Sequence, residues 1–227
     1  MHILVGLIVL LAVVFGPGLW VRHVLERYSR PADRYAHTGG QLARRLLDNH
    51  GLGHVSVEPS EAGDHYDPRD KAVRLTRDKL EGCSLTAVTV AGHEVGHALQ
   101  DRDGYTPLRW RTLLVGATQQ LQRLGAGLLM ASPFIGLVTR APIAGLLVFL
   151  GGFLSLGASA VVHLITLPTE MDASFARALP LLANGGYLKA EDVPHARRLL
   201  TAAALTYLAA SLMSLLNIAQ WWAILRR

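Results

Sequence analysis

Cysteine is nearly missing from the 227-residue sequence: Cys83 is the single one. No intramolecular disulfide framework and no all-cysteine metal cage can therefore form. Charge is scarce as well. Asp, Glu, Lys and Arg make up 17% of the chain against 51% apolar residues, where soluble domains carry about 25% charge. With a mean hydropathy of +0.29, the composition excludes disordered, collagen-like and coiled-coil chains and speaks against a water-soluble globule. Neither a G-x-S-x-G nucleophile turn nor a glycine-rich phosphate loop is present. Acidic residues are missing altogether between Asp103 and Glu170.

The net charge of +5 would suit nucleic acid, but with so apolar a bulk the arginines read better as cytoplasmic flanks of membrane spans. Four charge-poor runs are candidates. Residues 3–21 carry no charge and are followed by Arg22, Arg27, Arg30 and Arg34, which suggests a retained anchor with its amino terminus outside. A cleaved signal peptide fits poorly, because no basic region precedes the run and no A-x-A site follows it. Residues 124–139, extended upstream as an amphipathic helix, and the uncharged stretch 141–169 read as a hairpin of two spans. The last run, 201–225, carries Trp221 and Trp222 and is followed by Arg226 and Arg227, an interfacial anchor.

The expected organisation is an N-terminal anchor (1–21), a cytoplasmic zincin-like domain (22–111) and a two-span hairpin (112–169). A cytoplasmic segment (170–200) and a C-terminal span (201–227) follow. The fold class is thus mainly α, a multi-span helical membrane protein of about four spans with a small α+β domain. Within that domain the pattern predicts a helix over 33–49, weakened by Gly39 and Gly40, and strands at 54–58 and 72–76. A turn-rich DHYDPRD separates the strands, and a second helix runs from Ser84 to about Asp101. The 72–76 strand is a candidate edge to which an extended substrate could add.

The second helix contains His93-Glu94-Val95-Gly96-His97, an H-E-x-x-H. Histidines four apart lie one turn apart on one helical face, so both rings can bind a single ion. Glu94 beside the first of them can act as general base on a polarised water. The plainer alternative is a surface helix with two solvated histidines. A catalytic zinc needs a third protein ligand. Position 103 is Asp rather than His and position 100 is Gln rather than Gly, which removes the metzincin pattern. Asp101 lies two turns from His93, about 12 Å along the axis, too far to share its ion. The next acid is Glu170, and two spans between it and His97 would return the chain to the same side of the membrane.

Further candidates each have a structural alternative. His163, near the end of the third span, would line the site as a transition-state donor or hold a buried polar contact. His65, in a cluster with Asp64 and Asp67, would touch substrate or support the ligands, although turn chemistry explains Asp67-Pro68. Arg177 would steady a carboxylate or oxyanion, or sit on a solvated face. Cys83 reads as packing.

At this point the sequence resembles the membrane-bound neutral zinc metallopeptidases called YugP-like. The resemblance rests on DHYDPRDKAVRLT (64–76), AVTVAGHEVGHALQD (87–101), LPTEMDASFARAL (167–179) and AALTYLAASL (203–212). It implies a metal-dependent endopeptidase with one Zn2+ held by His93, His97 and Glu170, and with Glu94 catalytic. Protein or peptide substrates follow, membrane proteins among them, with a lipid bilayer and no nucleic acid as partners. Localisation in a bacterial inner membrane is expected, with the site facing the cytoplasm under the positive-inside assignment. A more distant likeness to HtpX-type proteases brings an Asp four residues after the ligand glutamate. Here that position is Ser174 and the acid is Asp172, a candidate for supporting the ligands. Two rival readings stand beside the peptidase: an inactive zinc-binding scaffold, and an intramembrane protease with the H-E-x-x-H in the bilayer.

Overall fold

The computed structural model of the chain describes residues 2–206. Seven α-helices have named bounds: α1 (His2–Arg27), α2 (Gly39–Asn49), α3 (Arg77–Leu80), α4 (Leu85–Arg102), α5 (Thr106–Thr139), α6 (Pro142–Met171) and α7 (Leu179–Asn184). A π-helix, Asp172–Ala178, joins α6 to α7, and a further helix runs over 193–206. Strands β1 (Ser56–Pro59), β2 (His65–Asp67) and β3 (Ala72–Leu75) form one sheet in the order β1-β3-β2. β1 runs parallel to β3, with Val57 opposite Val73, and β2 runs antiparallel to it, with Tyr66 opposite Val73.

The chain divides into two compact units. One comprises 18–109 with 167–206, and the other takes, among the described residues, 2–17 and 110–166. Of the second, α5 and α6 supply most of the described residues, and Leu113, Leu124, Met130, Phe134, Leu137 and Ile143 on them are exposed.

The expectation of a multi-span membrane protein is overturned. Among the described residues no helix is long and apolar enough to cross a membrane. The runs 3–21, 124–139 and 141–169 do become helical, within α1, α5 and α6. Lack of charge is a weaker property than sustained apolar character over a whole crossing, which needs about 20 residues. α1 contains Pro17 and closes on Arg22, His23, Glu26 and Arg27. α5 carries Arg109, Arg111 and Arg123, and α6 interleaves Gly151, Gly152, Ser155, Gly157 and Ser159 before a polar end. The architecture is mainly helical with a small mixed sheet. The same finding removes the reading of α4 as a bilayer helix, while most of the expected fourth span, 207–227, lies outside the described residues.

Three smaller expectations change inside the 18–109 and 167–206 unit. The first helix starts at Gly39 rather than at 33, because Thr38 and Gln41 form a reciprocal capping box there. The segment read as a turn contains β2, whose Tyr66 is drawn inward. β3 lies between β1 and β2, so both of its edges are already paired and it cannot receive a substrate strand.

α4 is the axis of this unit. Ser84 caps it by accepting from the Ala87 N–H at 3.1 Å, and every residue from Leu85 to Gln100 is buried. A helix hidden all round needs neighbours on all sides. α4 has α2, α3, β2, β3, α7 and the π-helix. The facing stripe of α2, Leu42, Ala43, Leu46 and Leu47, is wholly buried, as are Leu75, Leu182, Leu199 and Leu200.

Candidate metal centre

His93 and His97 come from successive turns of α4, and Glu170 comes from the last turn of α6, just before the π-helix. The π-helix reaches α4 closely because position 96 has no side chain. A Cβ on Gly96 would lie 2.6 Å from the Ala173 carbonyl oxygen, and one on Gly92 would lie 2.7 Å from Leu182. Gly92 and Gly96 thus form a second four-residue stripe beside the histidines and set how near Glu170 is carried.

The result is a buried three-residue group in which one donor atom from each side chain lies within 4.8 Å of the others. The Nε2 atoms of His93 and His97 are each 3.3 Å from Glu170 Oε2. The imidazoles meet edge to face, their centroids 4.8 Å apart. Zinc–ligand bonds of about 2.1 Å in a tetrahedron separate neighbouring donors by roughly 3.4 Å, so the 3.3 Å spacings suit such an ion. Two imidazole nitrogens and a carboxylate oxygen are also a zinc donor set, and three protein ligands is the number found in catalytic sites. Glu94 is buried beside them.

Behind the donors lies a hydrogen-bonded shell. His97 Nδ1 meets Gln100 Oε1 at 2.9 Å. Gln100 Nε2 donates to the Thr169 carbonyl at 2.8 Å and to Asp172 Oδ2 at 2.7 Å. Arg177 Nε donates to the same Asp172 oxygen at 2.8 Å, and the guanidinium also engages Asp103 and lies over the Tyr105 ring. Burial works against the Arg177 charge, yet its bonds to Asp103 and Asp172 raise its pKa. Bonds from Arg102 and Arg177 hold the Asp103 carboxyl below its usual range. On the other side, His93 Nδ1 meets Ser174 Oγ at 3.1 Å, and Ser174 Oγ donates to the Leu200 carbonyl at 3.3 Å.

The other sequence candidates are placed elsewhere or differently. Arg177 is held by two carboxylates rather than free for an oxyanion. Asp172 stands behind Gln100. His65 Nδ1 pairs with the Gly63 carbonyl at 3.0 Å and is outside the three-residue group. Its neighbours serve local structure: Asp64 accepts from the Thr76 N–H and hydroxyl, and Asp67 accepts from the Arg69 N–H and Arg74. Asp101 accepts from Tyr66 and Lys71. His163 lies on α6, and its side chain falls outside the described residues. Gln100 enters the sequence pattern only as a departure from the metzincin glycine, although its place three residues after His97, on the same helical face, is a usable signal.

A family model described as "Putative neutral zinc metallopeptidase" matches residues 3–226. The chain is 35% identical over 200 residues, 87% of this chain and 85% of the other, to a Bacillus subtilis (strain 168) protein named "Putative membrane protease YugP". No solved structure gives a significant match.

Proposed function

The chain belongs to this neutral zinc metallopeptidase family, and on that premise we propose that it is an endopeptidase hydrolysing peptide bonds with one zinc ion. The observation carrying the reading is the meeting of His93, His97 and Glu170 at zinc-like spacing next to a buried Glu94. Those three residues would hold the ion. When bound, zinc polarises a carbonyl oxygen and makes water more acidic. Glu94 is the general base: its carboxylate takes the proton of the attacking water and delivers it to the leaving amine nitrogen. His93, His97 and Glu170 stay in place through the reaction, because packing around Gly92 and Gly96 fixes the elements that carry them.

Two variants test this. Purified wild type is expected to hold close to one zinc per chain, and Glu170→Ala to lose most of it. Glu94→Gln is expected to keep zinc while cleavage of an unfolded protein substrate falls at least a hundredfold. Full cleavage by Glu94→Gln would end the general-base assignment, and absence of cleavage from zinc-loaded wild type would favour an inactive zinc-binding scaffold. The Bacillus subtilis relative is named a membrane protease. For this chain the proposal is a site on the cytoplasmic side of a bacterial cell membrane, acting on proteins or peptides there. Recovery of the native chain solely in the cytosolic fraction would contradict it.

A further inference from the structure

We propose that Gln100 is a positioning residue of the site. It fixes His97 in the tautomer with the proton on Nδ1, and its own amide is locked in one orientation by Asp172 across the π-helix. The inference rests on the metal-site reading for its purpose, but not for its geometry.

A glutamine amide has one accepting and one donating end, and turning it over exchanges them. At Gln100 one end faces the Thr169 carbonyl at 2.8 Å and the Asp172 carboxylate at 2.7 Å. Both are acceptors. Only the NH2 end can be satisfied there, so Oε1 must point to His97. Oε1 accepts and cannot donate, so His97 Nδ1, 2.9 Å away, must carry the proton. In a neutral imidazole that leaves the lone pair on Nε2. Nε2 is the atom 3.3 Å from Glu170. Two buried side chains, His97 and Gln100, are thereby oriented by a single chain of donors and acceptors, which leaves the Nε2 lone pair facing the buried Glu170.

The lock depends on the local winding of the chain. Along an α-helix, side chains that meet are three or four residues apart. Asp172 and Arg177 are five apart and meet at 2.8 Å, which suits the i→i+5 winding of the π-helix that contains both. Arg177 holds Asp172 aimed at Gln100, so Asp172 acts on His97 through a neutral amide. His93 has its own neutral partner. The Ser174 proton goes to the Leu200 carbonyl, which leaves the hydroxyl oxygen to accept from His93 Nδ1.

The test uses the full chain and two readouts. The first is the zinc dissociation constant, from competition with a chromophoric chelator, for wild type, Gln100→Leu, Gln100→Glu and the double variant Gln100→Glu/Asp172→Asn. Loss of an outer partner of a ligand histidine weakens metal binding by about 10- to 100-fold, and Gln100→Leu is expected in that range. Gln100→Glu keeps an acceptor for His97 but sets a carboxylate against Asp172, so it is also expected to bind weakly. Asp172→Asn supplies a donor in its place and restores part of the affinity. The second readout is the nitrogen NMR signature of the His97 tautomer in metal-free protein. The Nδ1–H form is expected in wild type and a mixture in Gln100→Leu. Wild-type affinity together with an unchanged tautomer in Gln100→Leu would overturn the proposal. Should Gln100→Leu not fold, the Gln100→Glu pair decides, and no recovery on adding Asp172→Asn would overturn it. If wild type binds no zinc, the tautomer measurement still judges Gln100 while the metal reading fails separately.

Discussion

Helices α4 and α6 are both long and largely apolar, yet they meet opposite surroundings. α4 carries two histidines, a glutamate, a glutamine and two threonines in the stretch 85–100, and all of it is buried. α6 has no charged residue before Glu170, yet Ile143 is 71% and Leu147 63% exposed. Apolar content therefore does not decide which helix is enclosed. Enclosure follows from close approach and from partners for polar groups. α4 offers glycines at 92 and 96 where the π-helix and α7 come in, and the Nδ1 atoms of both histidines have partners. On α5 and α6, Gly127 and Gly151 have nothing within 4 Å of where a Cβ would stand.

The contrast can be broken most forcefully by truncating a core side chain. Leu182, which closes on Gly92, is fully buried, so Leu182→Ala is expected to cost about 3–4 kcal/mol in denaturant unfolding. Leu147→Ala on α6 is expected to stay within about 0.5 kcal/mol. Similar losses at both positions would erase the difference.

Next comes the buried clasp between Asp192, Arg34 and Tyr35 in the site-bearing unit. Asp192 is almost fully buried and accepts from Arg34 and Tyr35 at 2.6 Å each. Asp192→Asn removes the buried counter-charge of Arg34, leaving it only the exposed Glu191, and is expected to cost about 3 kcal/mol. Burial alone would raise the Asp192 pKa, but the bonds from Arg34 and Tyr35 outweigh it and the carboxyl titrates below its usual value. Its contribution is therefore complete above the unfolded value of about 4 and is lost as pH falls through the lowered folded value. Stability profiles of wild type and Asp192→Asn should converge in that acid range, and parallel profiles would refute the assignment.

Glycine substitutions sharpen the comparison further. Gly96→Ala forces a methyl against the Ala173 carbonyl and is expected to destabilise by about 2 kcal/mol, with weaker zinc binding as Glu170 is pushed away. Gly151→Ala, in open space within a helix, is expected to stabilise by about 0.5–1 kcal/mol. Thermal melts of the pair give the sign directly, and a loss at Gly151 would show that α6 is closely packed after all.

Much of the site was legible because its signals are local. A four-residue spacing of histidines becomes one helical face whatever surrounds it, and Glu94 follows from the same turn. Glu170 was conspicuous because the chain has no other acid between it and Asp103. The rest was hidden for reasons that differ from residue to residue. The start of α2 turns on a capping box at Thr38 and Gln41, which outweighs the helix weakness of Gly39 and Gly40. β2 is three residues long and rich in turn formers, so pairing with β3 rather than propensity made it a strand. The runs 3–21, 124–139 and 141–169 are helical, but among the described residues no helix is long and apolar enough to cross a membrane.

The sequence by itself determined that a helix near 85–102 would bear His93, Glu94 and His97 on adjoining positions, because helical geometry is fixed by the backbone alone. Tertiary structure decided that Glu170 stands 3.3 Å from both imidazoles, that Gln100 reaches Thr169 and Asp172 across some seventy residues of chain, and that Ser174 faces His93. Those meetings depend on how closely α4 packs against the Ala173 backbone at Gly96 and the Leu182 side chain at Gly92, and on the π-helix between α6 and α7. Contacts between distant segments are set by the shapes that pack together, which no local spacing encodes.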